Sequence, residues 1–65
     1  MAKVTFSSAG DTLVAYLSGE IDHHSAQYLR DEIDSVLQSR MPQTLVLDFS
    51  AVSFMDSSGV GLILG

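Results

Sequence analysis

The sequence predicts an α/β fold: a β-hairpin, a helical crossover to a parallel strand and the first turns of a second helix, giving a mixed sheet with helices on one side. Three observations predict it. Apolar residues alternate at period two in the first part of the chain, recur at spacings of three and four after Ser18-Gly19-Glu20, and then form a short continuous run from Leu45 to Leu47. Strand, helix, strand in that order implies a right-handed crossover and a parallel pairing of the second and third strands.

The elements follow in order. Val4-Thr5-Phe6, then Leu13, Ala15 and Leu17, each alternate with polar or small neighbours, and Ala9-Gly10-Asp11 between them has turn composition, so these two strands form a hairpin. Ala26, Leu29, Ile33, Val36 and Leu37 make one apolar stripe of a helix over about residues 24–39, with Arg30, Asp31, Asp34 and Gln38 on its outer face. Ser39-Arg40-Met41-Pro42 stops it, because proline cannot continue the hydrogen-bond ladder and restricts the residue before it. Thr44-Leu45-Val46-Leu47-Asp48-Phe49 suits a central parallel strand covered on both faces. From Ser57 onward, Val60, Leu62, Ile63 and Leu64 suit the start of a second helix. Its ending, Gly-Leu-Ile-Leu-Gly, carries no charged or capping residue. The simplest account is one partial domain over residues 1–65, cut from a longer one, with the missing surface supplied by another copy in a homo-oligomer or by a partner.

Composition narrows the function. With 46% hydrophobic and 17% charged residues and one proline, the chain can form a core rather than a disordered tail. It has no cysteine, so no disulfide supports a domain of a size whose core alone supplies roughly 3–5 kcal/mol. A net charge of -5, with only Lys3, Arg30 and Arg40 as basic residues, repels polyanions. Nucleic acid and anionic membrane surfaces are therefore not expected partners. No window approaches the about 20 apolar residues of a membrane span, and the first residues resemble no export signal, so a cytoplasmic location is expected.

The polar stretch Asp56-Ser57-Ser58-Gly59 lies between Phe54-Met55 and Val60-Gly61-Leu62. One reading is a helix N-cap, in which Asp and Ser oxygens accept from the unpaired amides of a first turn. A second starts from Gly59 and Gly61, each costing roughly 1 kcal/mol against alanine within a helix, which suggests a close approach to the backbone there. A helix N-terminus also favours anions, so a phosphate on one of these serines would be tolerated by the fold and felt by whatever docks on the loop. A P-loop would need a lysine here, a dinucleotide fingerprint a different glycine spacing, and a hydrolase elbow a glycine two residues before the serine, so no enzyme and no cofactor is expected. Asp22-His23-His24 lacks metal-ligand spacing. Asp22 is expected to cap the first helix or to lie on the surface near its start, with Ser25 as the rival cap. Glu20-Ile21-Asp22-His23 and the stretch from Phe54 to Ser58 both follow strand ends, so they should share one edge of the sheet.

Gly19-Glu20-Ile21-Asp22-His23-His24-Ser25-Ala26 and the stretch from Leu47 through Asp56-Ser57-Ser58-Gly59-Val60-Gly61 resemble the STAS-domain anti-sigma-factor antagonists of bacteria, most closely the sporulation type. The resemblance runs over nearly the whole chain and implies a partial STAS fold. It further implies partner switching. The unmodified antagonist binds an ATP-bound anti-sigma factor, itself a serine kinase, and so releases the sigma factor. The kinase then phosphorylates the serine directly after the motif's aspartate, and a PP2C-type phosphatase reverses this. Carried over by position, the phosphorylated serine is Ser57, Asp22 matches the acidic position near the kinase interface, and Asp56, Ser58, Gly59 and Val60 match the docking loop. The alternative is a non-switching structural STAS module of a larger sensory or transporter assembly.

Overall fold

The computed structural model describes residues 1–57 and 61. Strands β1 (Lys3–Ala9) and β2 (Thr12–Ile21), helix α1 (His23–Arg40) and strand β3 (Thr44–Met55) follow one another, and the sheet order is β1-β2-β3. β1 pairs antiparallel with β2, and β2 parallel with β3, as the strand–helix–strand order implies. The expected second helix lies outside the described residues, apart from Ser57 and Gly61.

The hairpin closes through Gly10-Asp11, with Ala9 opposite Thr12. Gly10 has φ +61°, the sign that a two-residue hairpin turn of type II′ needs at its first central position. The Asp11 carbonyl then accepts from the amides of Gln43 at 2.9 Å and Thr44 at 3.2 Å, which ties the hairpin tip to the start of β3. α1 ends where proline requires: Met41 adopts a left-handed conformation, φ 48°, and its amide donates to the Leu37 carbonyl at 2.8 Å, directly before Pro42.

The core lies between α1 and one face of the sheet. Ala15, Leu17 and Ile21 of β2 meet Ala26, Leu29 and Ile33 of α1, all buried as their spacing predicts, with Ala2 completing the cluster. Leu13, Leu17, Ile21 and Leu29 have at most 1% of their surface exposed, and each such burial contributes roughly 1.5–3 kcal/mol. The chain start is locked over the end of β2 at Gly19. Its φ is +88°, and any side chain there would run into the Met1 carbonyl.

β3 departs from expectation. The central strand of the described sheet is β2; no residue of β3 is fully buried, and Val46 is 43% exposed. A continuous apolar run fits a covered central strand and a half-covered edge strand equally well, so the pattern could not distinguish them. β3 also runs past Phe49 to Met55, because it contains two register shifts that hide its alternation. Leu45, Leu47, Phe49 and Val52 nevertheless all pack against the core. The extra residue between Phe49 and Val52 is absorbed by the first shift, which lies between the pairs Tyr16–Asp48 and Ser18–Ala51.

Candidate functional site at the carboxyl edge of the sheet

Two strand ends make the site. β2 leaves the sheet at Ile21 and turns straight into α1, with Asp22 as N-cap in extended backbone. Asp22 and the rival cap, Ser25, turn out to be partners in a capping box. The Ser25 amide donates to Asp22 Oδ1 at 2.9 Å, and the Asp22 amide donates to Ser25 Oγ at 2.8 Å. The Ser25 hydroxyl lies 2.9 Å from Asp22 Oδ1 and 3.2 Å from the Glu20 carbonyl, with one proton to share between them. The Ser25 amide, followed by its hydroxyl, holds the Asp22 carboxyl below its ordinary value of 3.8 against an opposing effect of desolvation, with a lesser contribution from His24. Asp22 is exposed and ionised at neutral pH, so the residue that fixes the start of α1 also presents a negative charge to solvent.

β3 ends level with it. Glu20 is opposite Phe54 and Ile21 opposite Met55, and the Asp56 amide then donates to the Ile21 carbonyl at 3.2 Å. Asp56 is half-buried and Ser57 exposed. The expected common edge is therefore present, with the difference that Glu20 and Ile21, like Phe54 and Met55, belong to the strands rather than to the loops after them. Ser58, Gly59 and Val60 lie outside the described residues. At Gly61 an added Cβ would meet nothing within 4 Å among the described residues, and Gly59 lies outside them.

On the β1 side of Asp22 a cavity of about 690 Å³ opens between the chain start and α1, lined in part by Lys3, Val4, Glu20, His24 and Tyr28. Tyr28 drew no attention in the sequence, because nothing local shows that the edge of β1 and the first turns of α1 face each other across a gap. The His23 and His24 rings stack edge to face, with centroids 5.8 Å apart. Among the described residues no three His, Cys, Asp or Glu side chains are grouped to hold a metal ion.

Comparison with known proteins identifies the arrangement. A family model of the STAS domain matches residues 3–65. The anti-sigma F factor antagonist of Paenibacillus polymyxa is 45% identical over 53 residues, covering 82% of this chain and 45% of the relative. That of Lysinibacillus sphaericus is 42% identical over 55 residues, covering 85% of this chain and 47% of the relative. The chain thus spans about half the length of the curated relatives it matches. Among solved structures, an anti-sigma factor antagonist from Mycobacterium paratuberculosis superposes with a TM-score of 0.88 at 31% identity, over 98% of this chain and 54% of that one. The anti-sigma factor antagonist SpoIIAA in its unphosphorylated form gives a TM-score of 0.73 at 38% identity, over 97% of this chain and 58% of that one. The Bacillus protein of the same name in its phosphorylated form gives the same values. Because the family model spans residues 3–65, and with them the hairpin, the parallel crossover and both strand ends, the chain belongs to the STAS domain family.

Proposed function

We propose that this chain carries the switch of an anti-sigma-factor antagonist that works by exchanging partners. In the unmodified state the edge formed by Asp22, Asp56 and Ser57, with Ser58, Gly59 and Val60 beyond them, docks on an anti-sigma factor that is also a serine kinase, and the sigma factor is released. The kinase transfers the γ-phosphoryl group of ATP to Ser57. The Oγ–phosphorus bond forms as the bond to the bridging oxygen of ADP breaks, and the hydroxyl proton passes to a base of the kinase. The chain is a substrate and a binding module in this cycle, and a PP2C-type phosphatase resets it by hydrolysis.

The observation that carries the reading is the strand-end geometry. Ser57 is exposed, one residue after an aspartate whose amide is bonded to the carbonyl that precedes Asp22. A dianionic phosphate there joins Asp22 and Asp56 on one surface, and a partner that desolvates this surface must bury unpaired like charges. The relatives' names, and the two forms in which SpoIIAA is known, support the same reading.

Incubation with the anti-sigma factor kinase and ATP tests it. One phosphate is expected, located by mass spectrometry at Ser57 and absent in Ser57→Ala. Labelling that persists in Ser57→Ala removes the assignment.

A further inference from the structure

β3 is two residues longer than the stretch of β2 it accompanies. The numbering offset between partners is 32 at Thr12–Thr44 and 34 at Ile21–Met55, with one residue inserted between the pairs Tyr16–Asp48 and Ser18–Ala51 and another between Gly19–Val52 and Glu20–Phe54. At about 3.3 Å per residue, the two insertions draw the end of β3 back by roughly 7 Å. Without them Ser53 would stand opposite Ile21, and Asp56 and Ser57 would lie two residues further beyond the end of β2 than they do.

The first insertion is fastened by side chains. Asp48 Oδ1 accepts from the Ser50 amide at 2.8 Å and from the Ser50 hydroxyl at 2.6 Å, closing a small ring across Phe49. Ser50 is exposed and Asp48 half-buried; they stand six and eight residues before Asp56, and neither belongs to the docking edge. We propose that Asp48 and Ser50 are positioning residues for the phosphoacceptor: their ring holds the inserted residue in place and so sets the level at which β3 delivers Asp56 and Ser57 beside Asp22.

A slip of one residue moves the end of β3 by about 3.3 Å and sends side chains to the opposite face of the sheet. Phosphoryl transfer requires the attacking oxygen within about 3–3.5 Å of phosphorus, so a displacement of that size is large on the scale that matters. The inference rests on the assignment of Ser57 as the phosphoacceptor for its consequence, but not for its geometry.

The full chain carrying Asp48→Ala, Asp48→Asn or Ser50→Ala tests it with two readouts: amide exchange at Asp56, whose N–H marks the register at Ile21, and the rate of phosphate incorporation at Ser57 by the kinase. Asp48→Ala is expected to accelerate Asp56 exchange several-fold while the amides shared by β1 and β2 hold, and to slow phosphorylation by about tenfold or more. Asp48→Asn keeps an oxygen that accepts from Ser50 and is expected to restore both. Ser50→Ala keeps the amide bond and loses the hydroxyl, so it gives an intermediate effect and decides the matter if Asp48→Ala does not fold. The proposal is overturned if the Asp56 amide is unchanged in both alanine variants, if Asp48→Asn is as impaired as Asp48→Ala, or if β1–β2 amides accelerate as much as Asp56. If the unsubstituted chain takes no phosphate at Ser57, the functional reading falls, and the Asp56 amide alone still decides the role of Asp48 and Ser50.

Discussion

At the end of β2, Asp22 and Ser25 close on each other through reciprocal backbone bonds; at the end of β3, Asp56 ties its amide to Ile21 and Ser57 is exposed to solvent. Both places pair an aspartate with a nearby serine, on the same edge of the same sheet. The difference is where the serine hydroxyl is committed. Ser25 is occupied in holding the first turn of α1, so a substitution there is felt by the fold. Ser57 is presented outward, so under the proposed function a substitution there is felt by a partner.

Ser57→Asp should produce the largest change and confine it to binding. A charge at that position is expected to weaken docking on the anti-sigma factor by about a hundredfold, equivalent to about 2.8 kcal/mol, with the unfolding midpoint unaltered. Titration calorimetry against the kinase and a denaturant curve on the same sample measure the two sides. Asp22→Asn sharpens the contrast, because asparagine caps a helix about as well as aspartate but carries no charge. Stability should hold while docking weakens by about tenfold; docking unchanged in Asp22→Asn but weakened together with stability in Asp22→Ala would make Asp22 a structural residue only.

Ser25→Ala is the converse. It removes the acceptor of the Asp22 amide and the hydroxyl beside Asp22 Oδ1, and should lower stability by about 1 kcal/mol while leaving phosphate incorporation at Ser57 unchanged. The smallest effect is that of pH. The Asp22 carboxyl is lowered by the Ser25 amide, and the Asp48 carboxyl by the Ser50 hydroxyl followed by its amide, both from 3.8. Their folded-state values lie below their unfolded ones, so their contribution is complete above the ordinary carboxylate range and is lost as pH falls below it through the lowered values. Denaturant midpoints followed from neutral pH downward should hold to about pH 5 and then decline, with a shallower decline in Asp48→Asn.

The hairpin, α1 and the parallel pairing were legible because each buries one regular stripe: Leu13, Ala15 and Leu17 at period two, and Ala26, Leu29 and Ile33 at helical spacing. The common edge followed from the topology those stripes imply. β3 was legible only as far as Phe49. Beyond it the inward positions skip from Phe49 to Val52, and a period-two pattern with an inserted residue resembles the end of a strand. The Asp48-Phe49-Ser50 sequence is the local signal that could have revealed it, since an aspartate two residues before a serine is a common way to close a tight turn. The capping box was visible as its two members, Asp22 and Ser25, but as competitors, because spacing alone does not reveal that both bonds form at once. The cavity beside Asp22 depends on the packing of β1 against α1 and left no mark in either segment.

The central claim is that Ser57 is the switch and Asp22 its fixed neighbour on one docking surface. The most direct test is the affinity of the anti-sigma factor kinase for the chain before and after stoichiometric phosphorylation. A loss of about a hundredfold, with the phosphate mapped to Ser57 and reversed by phosphatase treatment, is the predicted result; equal affinity for the two forms, or a phosphate at another residue, would contradict it.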